Sequence, residues 1–236
     1  MTARRISSPR STEPEYTGDP AILVAQTRED LVVGDRVVRF RTRTRVIHWG
    51  VALTFFLCLF TGLPIWSPVF GWLAHLFGGL QVCRWVHPWT GIAFSVLMLL
   101  QFLHWAATMR LTAADRGFAS PKGMVAYLTW RANEEEVGKF NGGQKVLFWL
   151  TCLAAIGMLL TGFVLWYPNL FGETLRQASW LLHDVTFILF TLLIIGHIYL
   201  GIVEPGTFNA MIEGTVSRDW AELNHPAWYR DVTRQG

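Results

Sequence analysis

The sequence has little charge and no paired cysteines. Only 16% of its 236 residues are Asp, Glu, Lys or Arg, against about 25% in typical soluble domains. The three cysteines, Cys58, Cys83 and Cys152, form neither a C-x-x-C nor a C-x-x-C-H motif. The chain therefore lacks the ligand pattern of a covalently attached c-type haem, an iron–sulfur cluster or a zinc site.

An apolar stretch is also missing from the beginning of the chain. Residues 1–38 are rich in Arg, Ser, Thr and Pro, so we expect no cleavable secretory signal. This composition predicts a polar, mostly disordered N-terminal extension over residues 1–38. The net charge is only +3 and no basic footprint is visible, so we expect no nucleic-acid partner.

What the chain does contain is long apolar segments, with 52% hydrophobic and 14% aromatic residues. Four of them are long enough to cross a bilayer, which takes about 20 residues of helix. The predicted spans are 47–66, 87–108, 145–167 and 180–203. We therefore predict an all-α, integral membrane four-helix bundle over residues 39–210 that contacts membrane lipid, followed by a cytoplasmic tail over 211–236.

The connections between the spans differ in charge. Nine Lys and Arg residues precede the first span, six lie between the second and third spans or, as Lys145, at the first residue of the third, and three follow the fourth, whereas the other two connections hold only Arg84 and Arg176. Positive residues concentrate on the cytoplasmic side of membrane proteins. Both termini are therefore predicted to be cytoplasmic. Residues 67–86 are expected to form a connection with a short interfacial helix, and a short helix is expected around Met124 to Trp130.

Histidines lie inside or at the ends of these spans. His183 and His197 are 14 residues apart, close to four helical turns, so both imidazoles project from nearly the same face at depths about 21 Å apart. With the predicted orientation, His87 lies at the depth of His183 near the outer surface. His48 lies at the depth of His197 near the inner surface. Because ionisable residues inside a membrane are usually functional, the pattern predicts two bis-histidine b-type haems, His87/His183 and His48/His197.

Other residues have less specific interpretations. Gly62, Gly91 and Gly201 share helical faces with proposed ligands, which suits either a porphyrin plane or close helix packing. His104 is rotated away from the face of His87 and is not expected to be a ligand, and His75 and His225 are expected to be ordinary solvated or hydrogen-bonded histidines. Asn141, Gly143 and Gln144 precede the third span, where they suit either a quinone carbonyl near the inner haem or a helix cap.

Several motifs along the chain match a known family. They are RF-x4-RVIHW at 39–49, TGL at 61–63, RWVHPW at 84–89, EEEVGKFNGGQKVLFW at 134–149, LLHD at 181–184, HIY at 197–199 and EGTVSRDWAELNHPAWYR at 213–230. On these motifs the sequence resembles the cytochrome b556, or gamma, subunit of membrane-bound respiratory formate dehydrogenase. The resemblance covers residues 39–231.

The resemblance implies the same two ligand pairs, and a quinone pocket beside the inner haem formed by Asn141, Gly143 and Gln144. It implies an electron-transfer subunit of the bacterial inner membrane, which accepts electrons from an iron–sulfur (beta) subunit and reduces menaquinone or ubiquinone near the cytoplasmic face. Formate oxidation itself would belong to a separate catalytic (alpha) subunit. Asp184 departs from the family pattern, which more usually has a neutral residue there.

Two alternatives remain open from the sequence alone. A cytochrome b subunit of a hydrogenase or thiosulfate reductase would have the same haems and another electron donor. A haem-free membrane anchor would retain the histidines as packed polar groups.

Overall fold

The computed structural model describes residues 19–113, 115, 125, 137–204 and 206–234, and its elements are mainly helical. In chain order they are α1 (Pro20–Val24), β1 (Leu31–Val33), β2 (Arg36–Val38), α2 (Thr42–Trp66), a 3-10 helix (Pro68–Phe77), α3 (Leu80–Trp105), α4 (Gly142–Trp166), a short 3-10 helix (Pro168–Leu170), α5 (Glu173–Val203), α6 (Thr207–Glu213), β3 (Thr215–Ser217), α7 (Arg218–Asn224) and α8 (Pro226–Arg234).

The four long helices α2, α3, α4 and α5 are long and apolar enough to cross a membrane, which confirms the four predicted spans. Leucines such as Leu103 and Leu153 point outward with 69% and 67% of their surface exposed, as expected for side chains that face lipid. The helices form two antiparallel hairpins, α2 with α3 and α4 with α5. We call the end with the connections 67–79 and 167–172 the loop end, and the opposite end, where α2 begins and α5 ends, the terminal end.

The second span begins earlier than predicted. Its first residue is Leu80, so His87 and Pro88 lie inside α3 rather than at its start. The chain breaks instead at Gly78 and Gly79, whose φ angles of 87° and 113° favour glycine. A proline within a membrane helix is tolerated because neighbouring groups satisfy the freed backbone carbonyl, and this is why the His-Pro pair did not mark the boundary.

A small three-stranded sheet covers the terminal end, in addition to the predicted helices. β1 pairs antiparallel with β2, and β2 with β3, whose central register pair is Val37 with Val216. The expected disordered extension therefore differs from the structure over residues 19–38, which contain α1, β1 and β2. Local composition does not reveal this order, because the sheet depends on β3, a strand about 180 residues farther along the chain.

Gly214 joins this sheet to the bundle. Its φ is +89°, and a Cβ there would lie 2.4 Å from the carbonyl oxygen of Phe40. Gly214 also accepts hydrogen bonds from the backbone N–H groups of Arg39 and Phe40 at 2.8 and 3.0 Å. The chain therefore approaches the start of α2 so closely that only glycine fits.

The long connection between α3 and α4 is only partly described. The helix expected around Met124 to Trp130 lies outside the described residues apart from Val125. At the start of α4, the buried ammonium group of Lys145 pairs with Asp115 at 2.7 Å, which ties the described beginning of this connection to the bundle.

Candidate functional site

Two pairs of histidines face each other at opposite ends of the bundle. The ring centroids of His87 on α3 and His183 on α5 are 6.4 Å apart at the loop end. Those of His48 on α2 and His197 on α5 are 6.0 Å apart at the terminal end. With metal–imidazole bonds of about 2 Å, each separation suits two imidazole rings on either side of a single metal atom.

At the loop end, the His87 ring is held through its Nδ1 atom. This nitrogen lies 3.1 Å from the carbonyl oxygen of Cys58 and 3.2 Å from the hydroxyl oxygen of Thr61, both on α2. A carbonyl can only accept, so Nδ1 carries the proton and donates. The opposite nitrogen, Nε2, therefore has a free lone pair, which is the form that binds a metal.

His183 is held in the same way by α4. Its Nδ1 lies 2.8 Å from the hydroxyl oxygen of Thr161, which itself donates to the carbonyl oxygen of Gly157 at 2.6 Å. Because the single hydroxyl proton is used in that bond, the oxygen accepts from Nδ1–H. Nε2 of His183 is thus also left with its lone pair.

A glycine follows each of these threonines and lets the imidazole approach the helix. A Cβ at Gly62 would lie 2.9 Å from Cε1 of His87, closer than a real side chain allows, and a Cβ at Gly162 would lie 3.4 Å from Cε1 of His183. A Cβ at Gly91, in contrast, would meet none of the described side chains. Gly62 and Gly162 therefore make room for the two rings, while Gly91 leaves space beside them.

That space is a cavity of about 440 Å³ between the two helical hairpins. Its walls are mostly apolar and aromatic, and they include both histidines and all three of these glycines. Arg84 and Asp184 also line it, and Nε1 of Trp66 donates to the Asp184 carboxylate at 3.2 Å. An apolar slot with two opposed imidazoles and an arginine suits a flat tetrapyrrole that carries acidic substituents.

The terminal-end pair is less enclosed. His48 is half-buried and His197 is exposed along the side of the bundle. Nδ1 of His48 is buried and has no hydrogen-bond partner in the part of the chain that the structure describes. A Cβ at Gly201, one turn after His197, would meet no described side chain either, so this pair also has open space beside it.

Three phenylalanines separate the two histidine pairs. Phe55, Phe94 and Phe190 each follow a histidine of their own helix by seven residues, which is two turns. Their ring centroids are 5.2 to 6.3 Å apart. These rings pack together in the middle of the bundle, between the two histidine pairs.

Each histidine pair suits the iron of a haem better than a metal ion bound by protein side chains alone. Among the described residues, no group of three or more His, Cys, Asp or Glu side chains is placed to hold a metal ion. Haem iron receives four ligands from the porphyrin and needs only two opposed axial ligands from the protein. A family model described as prokaryotic cytochrome b561 matches residues 39–214.

The chain belongs to the prokaryotic cytochrome b561 family. It is similar to the formate dehydrogenase cytochrome b556 subunit of Haemophilus influenzae, with 35% identity over 83% of each chain. It is also similar to two proteins of Escherichia coli K12. The nitrate-inducible formate dehydrogenase cytochrome b556(Fdn) subunit is 32% identical over 84% of this chain and 92% of the relative. The formate dehydrogenase cytochrome b556(fdo) subunit is 30% identical over 85% of this chain and 95% of the relative.

This membership has direct consequences for the chain. A cytochrome b of this family binds haem b and takes part in membrane electron transfer. With four membrane-crossing helices it is a multi-pass protein of the bacterial inner membrane.

The residues predicted for quinone binding form a helix cap. Asn141 accepts from the backbone N–H of Gln144 at 2.9 Å, and Gln144 accepts from the backbone N–H of Asn141 at 3.1 Å. This reciprocal capping box starts α4. Gly143 lies in the first turn of the same helix. Quinone binding by these residues stays a prediction.

The remaining histidines have structural partners or lie on the surface. His104 contacts the Thr44 hydroxyl through Nε2 at 2.8 Å, and His75 is exposed. His225 is buried, with 3% of its surface exposed. Its Nδ1 donates to the carbonyl oxygen of Gly138 at 2.6 Å, and its Nε2 accepts from the Arg39 guanidinium at 3.0 Å.

We call the elements outside the membrane helices at the terminal end, α1 to β2 and α6 to α8, the cover. Within the cover, Arg39 connects three of the sequence motifs. It donates to the carbonyl oxygen of Lys139 at 2.8 Å and lies 4.9 Å from the ring centroid of Trp220. Burial lowers the pKa of Arg39 to about 9, although the negative charge of Asp30 opposes this shift. Motifs distant in sequence therefore meet around one buried cation.

Thr61, Thr161 and Gly162 belong to the site but were not among the residues predicted for it. A signal was nevertheless present, because the pattern T-G-x-x-x-W occurs twice, at 61–66 and 161–166. The two copies lie at the loop ends of α2 and α4 and contact the two histidines of one pair.

Proposed function

We propose that this cytochrome is the electron-transfer subunit of a membrane-bound formate dehydrogenase, with two haem b groups. His87 and His183 would hold one haem and His48 and His197 the other. The observation that carries the proposal is the pair of facing imidazole pairs, 6.4 and 6.0 Å between ring centroids, at two depths of one bundle. A haem whose iron is bound by His87 and His183, or by His48 and His197, would supply one-electron transfer rather than oxygen binding.

The proposed orientation places both termini in the cytoplasm. In the sequence, eighteen of the twenty Lys and Arg residues precede Ile47, lie within 109–145 or follow Val203, which are the chain segments that adjoin the terminal end. This distribution favours the cytoplasmic side for that end. The loop end, with His87 and His183, would then face the periplasm. Electrons would enter there from an iron–sulfur partner that is reduced by a catalytic formate dehydrogenase subunit, since the similar proteins are named as formate dehydrogenase subunits.

The proposed acceptor is a quinone, menaquinone or ubiquinone, that binds near Asn141, Gly143 and Gln144 at the terminal end. Gln144 caps α4 through its side-chain oxygen, so its amide NH2 group remains the donor that would meet a quinone carbonyl. Quinone reduction consumes two electrons and two protons. At this end of the bundle the protons would come from the cytoplasm.

A substitution at Gln144 separates capping from quinone binding. Gln144→Glu keeps the side-chain oxygen that caps the helix but removes the NH2 donor. In the purified complex, we expect formate to reduce the haems of this variant normally, while their reoxidation by a quinone analogue slows at least tenfold. Gln177→Glu at the loop end is the matched control. Unchanged reoxidation in Gln144→Glu would refute the proposed quinone site.

The same preparation distinguishes the alternative functions. A purified chain with no haem b would support the haem-free anchor. Haems that are reduced by hydrogen or by another donor complex, and not by formate, would support the hydrogenase or thiosulfate reductase alternative. Co-purification with iron–sulfur and formate-oxidising subunits would support the present proposal.

A further inference from the structure

The repeated T-G-x-x-x-W pattern places an equivalent threonine against each histidine of the loop-end pair. Thr61 and Thr161 are both buried, with 0% and 9% of their surface exposed. Each donates its hydroxyl proton to a carbonyl oxygen of its own helix, four residues earlier, at 2.6 Å. Each hydroxyl oxygen also contacts Nδ1 of a proposed ligand.

Ordinary packing does not account for this arrangement. Thr54 on α2 and Thr151 on α4 also donate to carbonyl oxygens of their own helices, at 2.8 and 2.9 Å. Their hydroxyl groups contact neither histidine pair. The contact with Nδ1 is therefore a separate feature of Thr61 and Thr161, and it occurs once on each side of the same cavity.

We propose that Thr61 and Thr161 are positioning residues that fix the tautomer of the loop-end ligands and hold the haem there at a lower reduction potential than the terminal-end haem. This inference rests on the haem ligation proposed above. A ligand imidazole that donates through its outer nitrogen becomes a stronger electron donor to the metal. Stronger donation stabilises ferric iron, and the potential falls.

Among the described residues, no hydroxyl group or carbonyl contacts the terminal-end pair in this way. Nδ1 of His48 is buried and has no partner among the described residues, so it gains no basicity from an acceptor. The two sites should therefore differ in potential, with the loop-end haem the lower. Electrons that enter at the loop end would then move towards the higher potential at the terminal end.

The decisive variant is Thr161→Val, because among the described residues Thr161 provides the only acceptor for Nδ1 of His183. Potentiometric titration of the purified complex should show two haem components. The loop-end component is the one that His183→Ala removes. In Thr161→Val we expect its ratio of reduced to oxidised haem, at a fixed potential, to rise about tenfold, which equals about 59 mV for a one-electron couple.

Three further variants control for packing. Thr151→Val should change the potential of neither haem. Thr161→Ser should have the wild-type potentials, because serine keeps the hydroxyl group. Thr61→Val should cause a smaller rise than Thr161→Val, since the Cys58 carbonyl still accepts from His87.

Each outcome decides the proposal. If Thr161→Val keeps both haems with unchanged potentials, or if both components shift equally, the inference is wrong while the haem ligation stands. If Thr161→Val loses the loop-end haem, the order of the two potentials in the wild-type complex decides, and a higher loop-end potential overturns the inference. A wild-type complex without haem overturns the proposed function itself.

Discussion

The two ends of the bundle hold their histidines differently. At the loop end, Thr61, Thr161 and the Cys58 carbonyl hold Nδ1 of both imidazoles, and two glycines admit the rings. At the terminal end, Nδ1 of His48 has no partner among the described residues, and the start of α2 is instead held by backbone carbonyls of α6. One site is therefore organised from within the membrane helices, and the other depends on the cover outside them.

The largest expected effect is the complete loss of one haem while the other haem stays bound. His183→Ala should abolish the absorption component of the loop-end haem and spare the other, and His197→Ala should do the reverse, because each histidine provides a ligand to only one proposed site. Low-temperature difference spectra of the two variants check this. Loss of both components in either variant would mean that α5 acts first as a folding element, and the comparison between the sites would fail.

Gly62→Ala should weaken haem binding at the loop end only. A Cβ there would lie 2.9 Å from Cε1 of His87, so the ring must move away from its hydrogen-bond partners. We expect most of the loop-end haem to be lost and the terminal-end haem to remain. Gly162→Ala should have a milder effect because the same distance to His183 is 3.4 Å. Gly71→Ala is the control, since a Cβ there meets no described side chain. Equal loss of both haems would contradict this prediction.

Gly214→Ala tests the terminal end in the same manner. The substitution would place a Cβ 2.4 Å from the Phe40 carbonyl and force a residue with a side chain to adopt a φ of +89°. Such backbone strain costs about 1–3 kcal/mol. Loss of the terminal-end haem should therefore occur at lower temperature than in wild type, with the loop-end haem unchanged. Thermal titration of the two absorption components measures this, and a parallel shift of both would show that the two ends are not independent.

A smaller effect is expected from pH. Burial, together with the positive charge of Arg39, lowers the pKa of His225 well below its ordinary value of 6.5. Below about pH 6.5, His225 therefore binds a proton in the unfolded chain but not in the folded chain. The free energy of unfolding falls as the pH decreases through this range. The terminal-end haem should become more heat-labile between pH 7 and pH 5. His225→Gln should reduce this dependence, and an unchanged dependence in that variant would assign it to other groups.

The sequence was informative about features that repeat along one helix. Long apolar runs predicted four spans, and the depths of His48, His87, His183 and His197 predicted which histidines lie opposite each other. The structure places those same residues in facing pairs. Helical periodicity is a local property, so it can be read without knowledge of the fold.

Features that depend on distant contacts were harder to predict. The order of residues 19–38 comes from strand pairing with β3, and the start of α3 comes from a Gly-Gly turn rather than from His87-Pro88. The role of Thr161 requires knowledge of which helix packs against His183. Within the sequence, only the repetition of T-G-x-x-x-W at 61–66 and 161–166 indicated that Thr161 has the same role as Thr61.

The haem content of the purified chain tests the central claim most directly. A pyridine haemochrome assay combined with a protein determination gives the number of b haems per chain. Two histidine pairs at two depths predict two haems per chain in the wild type. One haem or none per chain, in a complex that is otherwise intact, would contradict the account.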